Sequence, residues 1–278
     1  MTGSTTPGPP ALPGVAALLL RAPFKRAGKP GHALASEFIA PRLDRERLAR
    51  YNTLFGFATE ALPVTYYYPL VQRAHLATML TPAFPFRLLG MIHAGNLLRE
   101  ERRPDLQGPV VIATEIEIEP PAEQGARYCT LHSRAKQDGA TVFSCTSRYL
   151  AQRGKSVRDG TARAEEEETT PALATWDVGL DAGRRYASVS GDWNPIHLWP
   201  WSARLFGLSS PIIHGMHTVG AACAQLERAT GVRVTTMSAR FKAPIALGAR
   251  VEMCADLGAG SYRVRCGGRV AVEGGFEV

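Results

Sequence analysis

The sequence predicts an α+β protein made of two related units, each combining an antiparallel sheet with a helix. Three observations carry this. The run 109–119 alternates Ile112, Thr114, Ile116 and Ile118 against Ala113, Glu115, Glu117 and Glu119, the period of a strand with one wet face. Asp138-Gly139 stands between two further β-prone runs, 127–137 and 141–152, as a hairpin turn would. A weak self-similarity at about 120 residues suggests a duplicated unit, a spacing long enough for one whole supersecondary assembly. Aligning His93 with His214 also brings Tyr66-Tyr67 near Tyr186, His75 near His197, Pro120-Pro121 near Pro244 and Gly125 near Gly248. Chance agreement between two unrelated α+β domains is the alternative.

In chain order, residues 1–14 are Pro, Gly, Ser and Thr with few burying groups and read as a mobile leader. The run 62–69, LPVTYYYP, is aromatic and closed by proline, which predicts a strand entering a turn. Residues 72–80 read as a short helix stopped before Pro82. The three β-type runs follow, closing a first unit over 15–153. Residues 154–171 hold almost no large apolar side chain and include the acidic run Glu165 to Glu168, so they read as a solvated linker. The second unit, 172–278, opens with a short strand around Trp176 and a helix from Asp181. A longer apolar helix then spans 215–230, and four strands complete the unit at 232–242, 250–257, 261–266 and 269–278.

Composition narrows the function classes. The chain has 278 residues, 45% of them apolar, enough to bury a substantial core. A net charge of +7 favours an anionic partner without naming it, and the first fifty residues carry much of the basic excess. Five cysteines without CxxC spacing suggest neither a disulfide framework nor a zinc site and fit a reducing cytoplasm. The apolar run 15–20 has no Lys or Arg before it and makes a poor signal peptide. No run reaches the ~20 apolar residues of a membrane span.

The chemistry concentrates between Tyr186 and His217. Asp192, Asn194 and His197 fall within six residues, and Asn194-Pro195 favours a turn, so a carboxylate, an amide and an imidazole leave one compact loop. Next comes His214-Gly215-Met216 at the start of the apolar helix, where Gly lets the backbone approach a ligand and the first N–H groups lack helical partners. The first unit has no such loop. Its run after His93, AGNLLREERRPD, is charged where the second unit is small and apolar, which predicts that the first unit has lost its buried helix.

These residues resemble the MaoC-like dehydratases and the (R)-specific enoyl-CoA hydratases. The family pattern is an aromatic residue, Ser-Gly-Asp-x-Asn-Pro-aliphatic-His and a small residue beyond. It is filled by Tyr186, Val189, Ser190 to His197 and Ala203, with His214-Gly215-Met216 as the second signature. The resemblance covers roughly 173–278 well and the first unit faintly. It implies a double hotdog, two antiparallel sheets each curled round a central helix, with the N-terminal copy degenerate.

It also implies catalysis by Asp192 and His197 holding one water, Asn194 orienting the carboxylate, and the Gly215 N–H donating to the thioester oxygen. Ser190, Tyr186, His214 and Met216 are expected on the substrate side, with His214 and His217 also holding the turn. Arg240 and Lys242 share a strand face suited to the phosphates of coenzyme A or of a carrier-protein arm. The expected substrate is an acyl-CoA or acyl carrier protein thioester, without nucleic acid, cofactor or metal, and a homodimer stays open. A hotdog thioesterase and a non-catalytic acyl-binding subunit are the competing readings. Each residue also has a blander role: Asp192 as an Asx-turn residue, His197 as a structural histidine, and Trp193, Trp199 and Trp201 as packing that holds the loop to the body.

Overall fold

A computed structural model describes residues 8–29, 34–40, 42–122, 124–154 and 171–278. Residues 1–7 of the leader and most of the acidic linker, including Glu165 to Glu168, lie outside the described residues. In chain order the elements are α1 (Val15–Arg21), β1 (Leu34–Ala40), α2 (Arg45–Phe55), α3 (Tyr67–Met79), β2 (Ile92–Glu100), β3 (Val110–Ile118), β4 (Arg127–Gln137) and β5 (Ala140–Gln152). The second half supplies β6 (Ala172–Asp177), α4 (Ala182–Ser190), α5 (Pro200–Leu205), α6 (Gly215–Thr230), β7 (Thr236–Phe241), β8 (Arg250–Asp256), β9 (Ser261–Cys266) and β10 (Arg269–Glu277).

The strands form one antiparallel sheet of ten, ordered β1-β3-β4-β5-β2-β7-β10-β9-β8-β6. From each edge inward, either half runs first, third, fourth, fifth and second strand, so the duplication is written in the topology. The halves join at β2 and β7, where Leu97 lies opposite Ser238 and Leu98 opposite Met237. Between its first and second strands each half places its longest helix, α3 in the first and α6 in the second, and one apolar core runs through both. This is the double hotdog, with its two sheets fused edge to edge. The seam is also pinned by a cross-half ion pair, Arg233 to Glu100 at 2.6 Å, whose carboxylate is 4% exposed and also accepts from the Tyr67 hydroxyl.

Local chemistry explains the helix ends. Asp44 caps α2 by accepting from the Arg47 N–H at 3.0 Å, and Gly56 ends it in the left-handed region, φ 74°. Gly191 ends α4 likewise at φ 82°. Close approach matters at Gly220 of α6, where a Cβ would sit 2.9 Å from the Tyr51 hydroxyl and from a Phe55 ring atom. The central helix of the second half therefore packs directly on α2 of the first.

Three expectations fail. Residues 62–69 are not a strand: a 3-10 turn over Val64–Tyr66 leads straight into α3. Tyr66, Tyr67 and Tyr68 are all buried, and that burial outweighs their β propensity. Pro69 is tolerated because it sits in the first helical turn, where its missing N–H breaks no bond. The first half has not lost its helix, since α3 occupies the central position. His93 does not correspond to His214 either. It opens strand β2, opposite Tyr149 of β5, and the charged run after it leads into the loop before β3. The structural counterparts are Gly56 and Gly191, each the left-handed residue after its half's first long helix, so Phe57 stands where the second half has Asp192.

Candidate active site

The loop between α4 and α5 presents the predicted groups, and hydrogen bonds within it explain its shape. The Asp192 N–H donates to Ser190 Oγ at 3.1 Å, and Asn194 N–H donates to Asp192 Oδ1 at 3.1 Å. The Asn194 side chain instead accepts from the Ile196 N–H at 3.4 Å and caps a 3-10 turn over Pro195–His197. Orientation of the carboxylate by Asn194 is thus a backbone contact, because the side-chain amide is engaged in holding the turn. Asp192 Oδ2 accepts from Gln72 Nε2 at 2.8 Å, a contact that comes from α3 of the first half.

His197 is 9% exposed, and its Nδ1 donates to the Ile212 carbonyl at 2.8 Å. That bond fixes the tautomer and leaves Nε2 with a free lone pair. Burial pushes the His197 pKa below the usual histidine value, against the opposing pull of Asp192. Burial would raise the Asp192 pKa, yet His214, His197, the Gln72 amide and the Asn194 N–H together hold it below the ordinary carboxylate value. At neutral pH the pair is therefore a carboxylate beside a neutral imidazole, two acceptors able to hold one water.

His214 stacks on His197 with ring centroids 3.7 Å apart and donates from Nε2 to the Asp192 carbonyl at 2.9 Å. Burial brings its pKa down to about 3, so it is a neutral brace for the loop. His217 is buried among Phe55 and Tyr186, and burial lowers its pKa to about 4. Gly215 opens α6, and the first backbone bonds there go from His217 and Thr218 to the His214 carbonyl, which leaves the Gly215 and Met216 N–H groups outside the helical ladder. A Cβ on Gly215 would lie 2.6 Å from the Phe241 ring, so only glycine lets the backbone come this close.

The remaining predicted residues are placed unevenly. Ser190, Tyr186 and Met216 are buried around the loop, and among the described residues the Tyr186 hydroxyl has no hydrogen-bond partner. Arg240 and Lys242 lie on and just past β7, and both pair with Glu273, Lys242 at 3.2 Å. The tryptophans do not pack the loop inward. Trp201 is 63% exposed, with Trp193 and Trp199 each more than a third exposed, because the short helix α5 turns this face outward. Among the described residues, Asp192, His197 and His214 have potential ligand atoms within 4.8 Å of one another. The His197 Nδ1 and the His214 Nε2 are each already engaged on a backbone carbonyl, those of Ile212 and Asp192.

Sequence reasoning missed Gln72 and its neighbours. Tyr68 of α3, His93 of β2 and Tyr149 of β5 form a buried stack, with centroids 5.4 Å and 4.7 Å apart, and the Asp192 charge acts on all three. Nothing near Gln72 in sequence marks it, since its run reads as an ordinary helix.

Comparison with known proteins agrees with this geometry. The profile of the family described as MaoC like domain matches residues 161–269. The chain is 25% identical over 228 residues to 3-hydroxyacyl-thioester dehydratase X of Mycobacterium tuberculosis, covering 79% of each protein. It is 36% identical over 67 residues to the mitochondrial 3-hydroxyacyl-[acyl-carrier-protein] dehydratase of Arabidopsis thaliana, covering 23% of this chain and 40% of that protein. Among solved structures, HtdX of Mycobacterium tuberculosis superposes with a TM-score of 0.71 at 23% identity, covering 86% of this chain and 98% of that one. With the signature loop, the fold and the profile in agreement, the C-terminal half is similar to the MaoC like domain, matched over residues 161–269.

Proposed function

We propose that the protein is a hydro-lyase interconverting (3R)-hydroxyacyl and trans-2-enoyl thioesters of coenzyme A or acyl carrier protein. The observation that carries this reading is the Asp192–His197 pair, a carboxylate and a neutral imidazole in one buried loop beside the free N-terminus of α6. Asp192 and the His197 Nε2 hold a water. Its oxygen bonds to C3 of the enoyl group while one of its protons passes to the pair, and a proton returned from the pair reaches C2. Dehydration is the reverse. The thioester oxygen gains negative charge on the way, and the Gly215 N–H, at the positive end of a sixteen-residue helix, would stabilise it. Asn194 holds the loop and, through its N–H, the carboxylate.

Ser190, Tyr186, His214 and Met216 shape the pocket, and Arg240 and Lys242, already in the field of Glu273, would meet phosphate only by sharing or exchanging that partner. The functional division follows the sequence boundaries: a leader at 1–14, a non-catalytic unit at 15–153, a linker at 154–171 and a catalytic unit at 172–278. Among the described residues no helix is long and apolar enough to cross a membrane. All five cysteines are free, which suits a reducing cytoplasm.

The test is the loss of enoyl absorbance with crotonyl-CoA and a longer trans-2-enoyl-CoA. Asp192→Asn and His197→Gln should each lower kcat by about 10²–10⁴-fold. Full activity in both variants overturns the assignment. Release of free thiol without hydration favours a thioesterase.

A further inference from the structure

We propose that Gln72, on the central helix of the half that lacks the catalytic loop, is a positioning residue for Asp192, so that one active site is assembled from both halves. The inference rests on the hydro-lyase reading above. Its basis is the hydrogen bond from Gln72 Nε2 to Asp192 Oδ2 at 2.8 Å. The other carboxylate oxygen accepts from the Asn194 N–H. A carboxylate held by one donor on each oxygen cannot rotate about its last bond, and its remaining lone pairs keep a fixed direction toward the water. One donor comes from the loop itself, which can only set the carboxylate relative to the loop. The other comes from a helix 120 residues earlier, which sets it relative to the second wall of the site.

The setting of α3 supports this role. Tyr68, Gln72 and His75 follow at helical spacing and share one face of the helix. Tyr68 and His75 are buried, and Tyr68 bonds to Tyr149 at 3.2 Å and lies 3.3 Å from His93 Nδ1. On this face Gln72 reaches the catalytic carboxylate, while Tyr68 is held by Tyr149 and the His75 Nε2 meets Ser133 Oγ at 3.0 Å. The titratable and charged groups around Asp192 are His197, His214 and Tyr186 of its own half, and Tyr68, His93 and Tyr149 of the other, while Arg47 of α2 crosses at Gly191. Gln72 differs from all of these in having a side chain that does not titrate, so its hydrogen bond orients the carboxylate without adding a charge at any pH.

The experiment compares wild type, Gln72→Leu and Gln72→Glu in the hydration assay between pH 5 and 8. Gln72→Leu should lower kcat about 10- to 100-fold with KM within about twofold, because a hydrogen bond to a charged group is lost at the reacting centre. In Gln72→Glu the introduced group donates to Asp192 only when protonated. Its activity relative to wild type should therefore climb as pH falls, while the ratio for Gln72→Leu stays flat. A purely structural role gives a pH-independent ratio in both. A Gln72→Leu enzyme with wild-type kcat, or a flat ratio for Gln72→Glu, overturns the proposal. Should Gln72→Leu fold poorly, the Gln72→Glu ratio alone decides. Wild type inactive on every enoyl thioester would defeat the hydro-lyase reading separately. The contact is then read from a double-mutant cycle of Gln72→Leu with Asp192→Asn in urea unfolding, where coupling of about tenfold in the folding constant supports it and additivity overturns it.

Discussion

The two halves share a strand order and a central helix, yet only one carries the loop chemistry, and the difference lies in a few positions. After the left-handed Gly191 the second half continues with Asp192, Asn194, Pro195 and His197. After the left-handed Gly56 the first half continues with Phe57, whose ring stacks 6.4 Å from Tyr51. The second half opens its central helix with His214-Gly215, leaving N–H groups free. The first opens its helix after a 3-10 turn lined by buried tyrosines. A duplicated backbone therefore supports two uses: one half presents polar groups, and the other fills the same places with aromatic rings and braces them. The first half is also structurally engaged with the second. It closes the core around α6, supplies Glu100 to the seam and places Gln72 against Asp192.

The largest effect expected is on activity, and it should be one-sided. Asp192→Asn should cost about 10²–10⁴-fold in kcat. Phe57→Leu, at the matching place in the first half, should leave kcat within about threefold and cost about 1 kcal/mol of stability by urea unfolding, as volume-preserving core changes do. Comparable kcat losses at the two positions would break the comparison.

Second, the seam should depend on Glu100. Its carboxylate is buried between Arg233 and the Tyr67 hydroxyl, so Glu100→Ala leaves an arginine without its partner and should cost about 3–5 kcal/mol. A loss below about 1 kcal/mol, or unfolding of the halves in two separate transitions, would show that the seam does not couple them.

Third, Gly215→Ala should cost about 1–3 kcal/mol by forcing Cβ into the Phe241 ring, and Phe241→Leu in the same chain should recover part of it. No recovery would mean that the ring is not the obstacle.

A last effect is a pH dependence of stability shared by both halves. Burial lowers the pKa of His75 and His214 to about 3 and of His93 and His217 to about 4. Unfolded histidines protonate near 6.5, so below that value the unfolded state binds more protons than the folded one. The stability these neutral histidines contribute is complete above 6.5 and is lost as pH falls toward 3–4, by at most ~1.4 kcal/mol per pH unit for each. Urea midpoints measured from pH 7.5 to 4.5 should fall steadily, with His75→Gln and His217→Gln each flattening the slope. Unchanged slopes in both would contradict the buried neutral state.

Some of this was legible in the chain because it is local. The alternation of 109–119, the Asp138-Gly139 turn and the apolar 215–230 run predict β3, the β4–β5 hairpin and α6 from short-range periodicity alone. The loop from Ser190 to His197 is equally local, because its own backbone and side chains hold it. The misreadings were all places where distant packing decided. Three tyrosines became helical because both halves bury them. The charged run after His93 was taken for a lost helix, whereas the central helix had already passed at Tyr67–Met79. The register of the repeat follows strand order, which one-dimensional spacing does not contain, and not the shared His, Tyr, Pro and Gly positions around His93 and His214.

By itself, then, the sequence determined the α+β class and the Asp192–His197 pair, since each depends on residues within a turn or a strand of one another. The tertiary structure alone decided the register of the two halves, the fused sheet and the donor that Gln72 extends to Asp192. Those contacts join groups more than a hundred residues apart, and only the closing of one half on the other brings them within hydrogen-bonding distance.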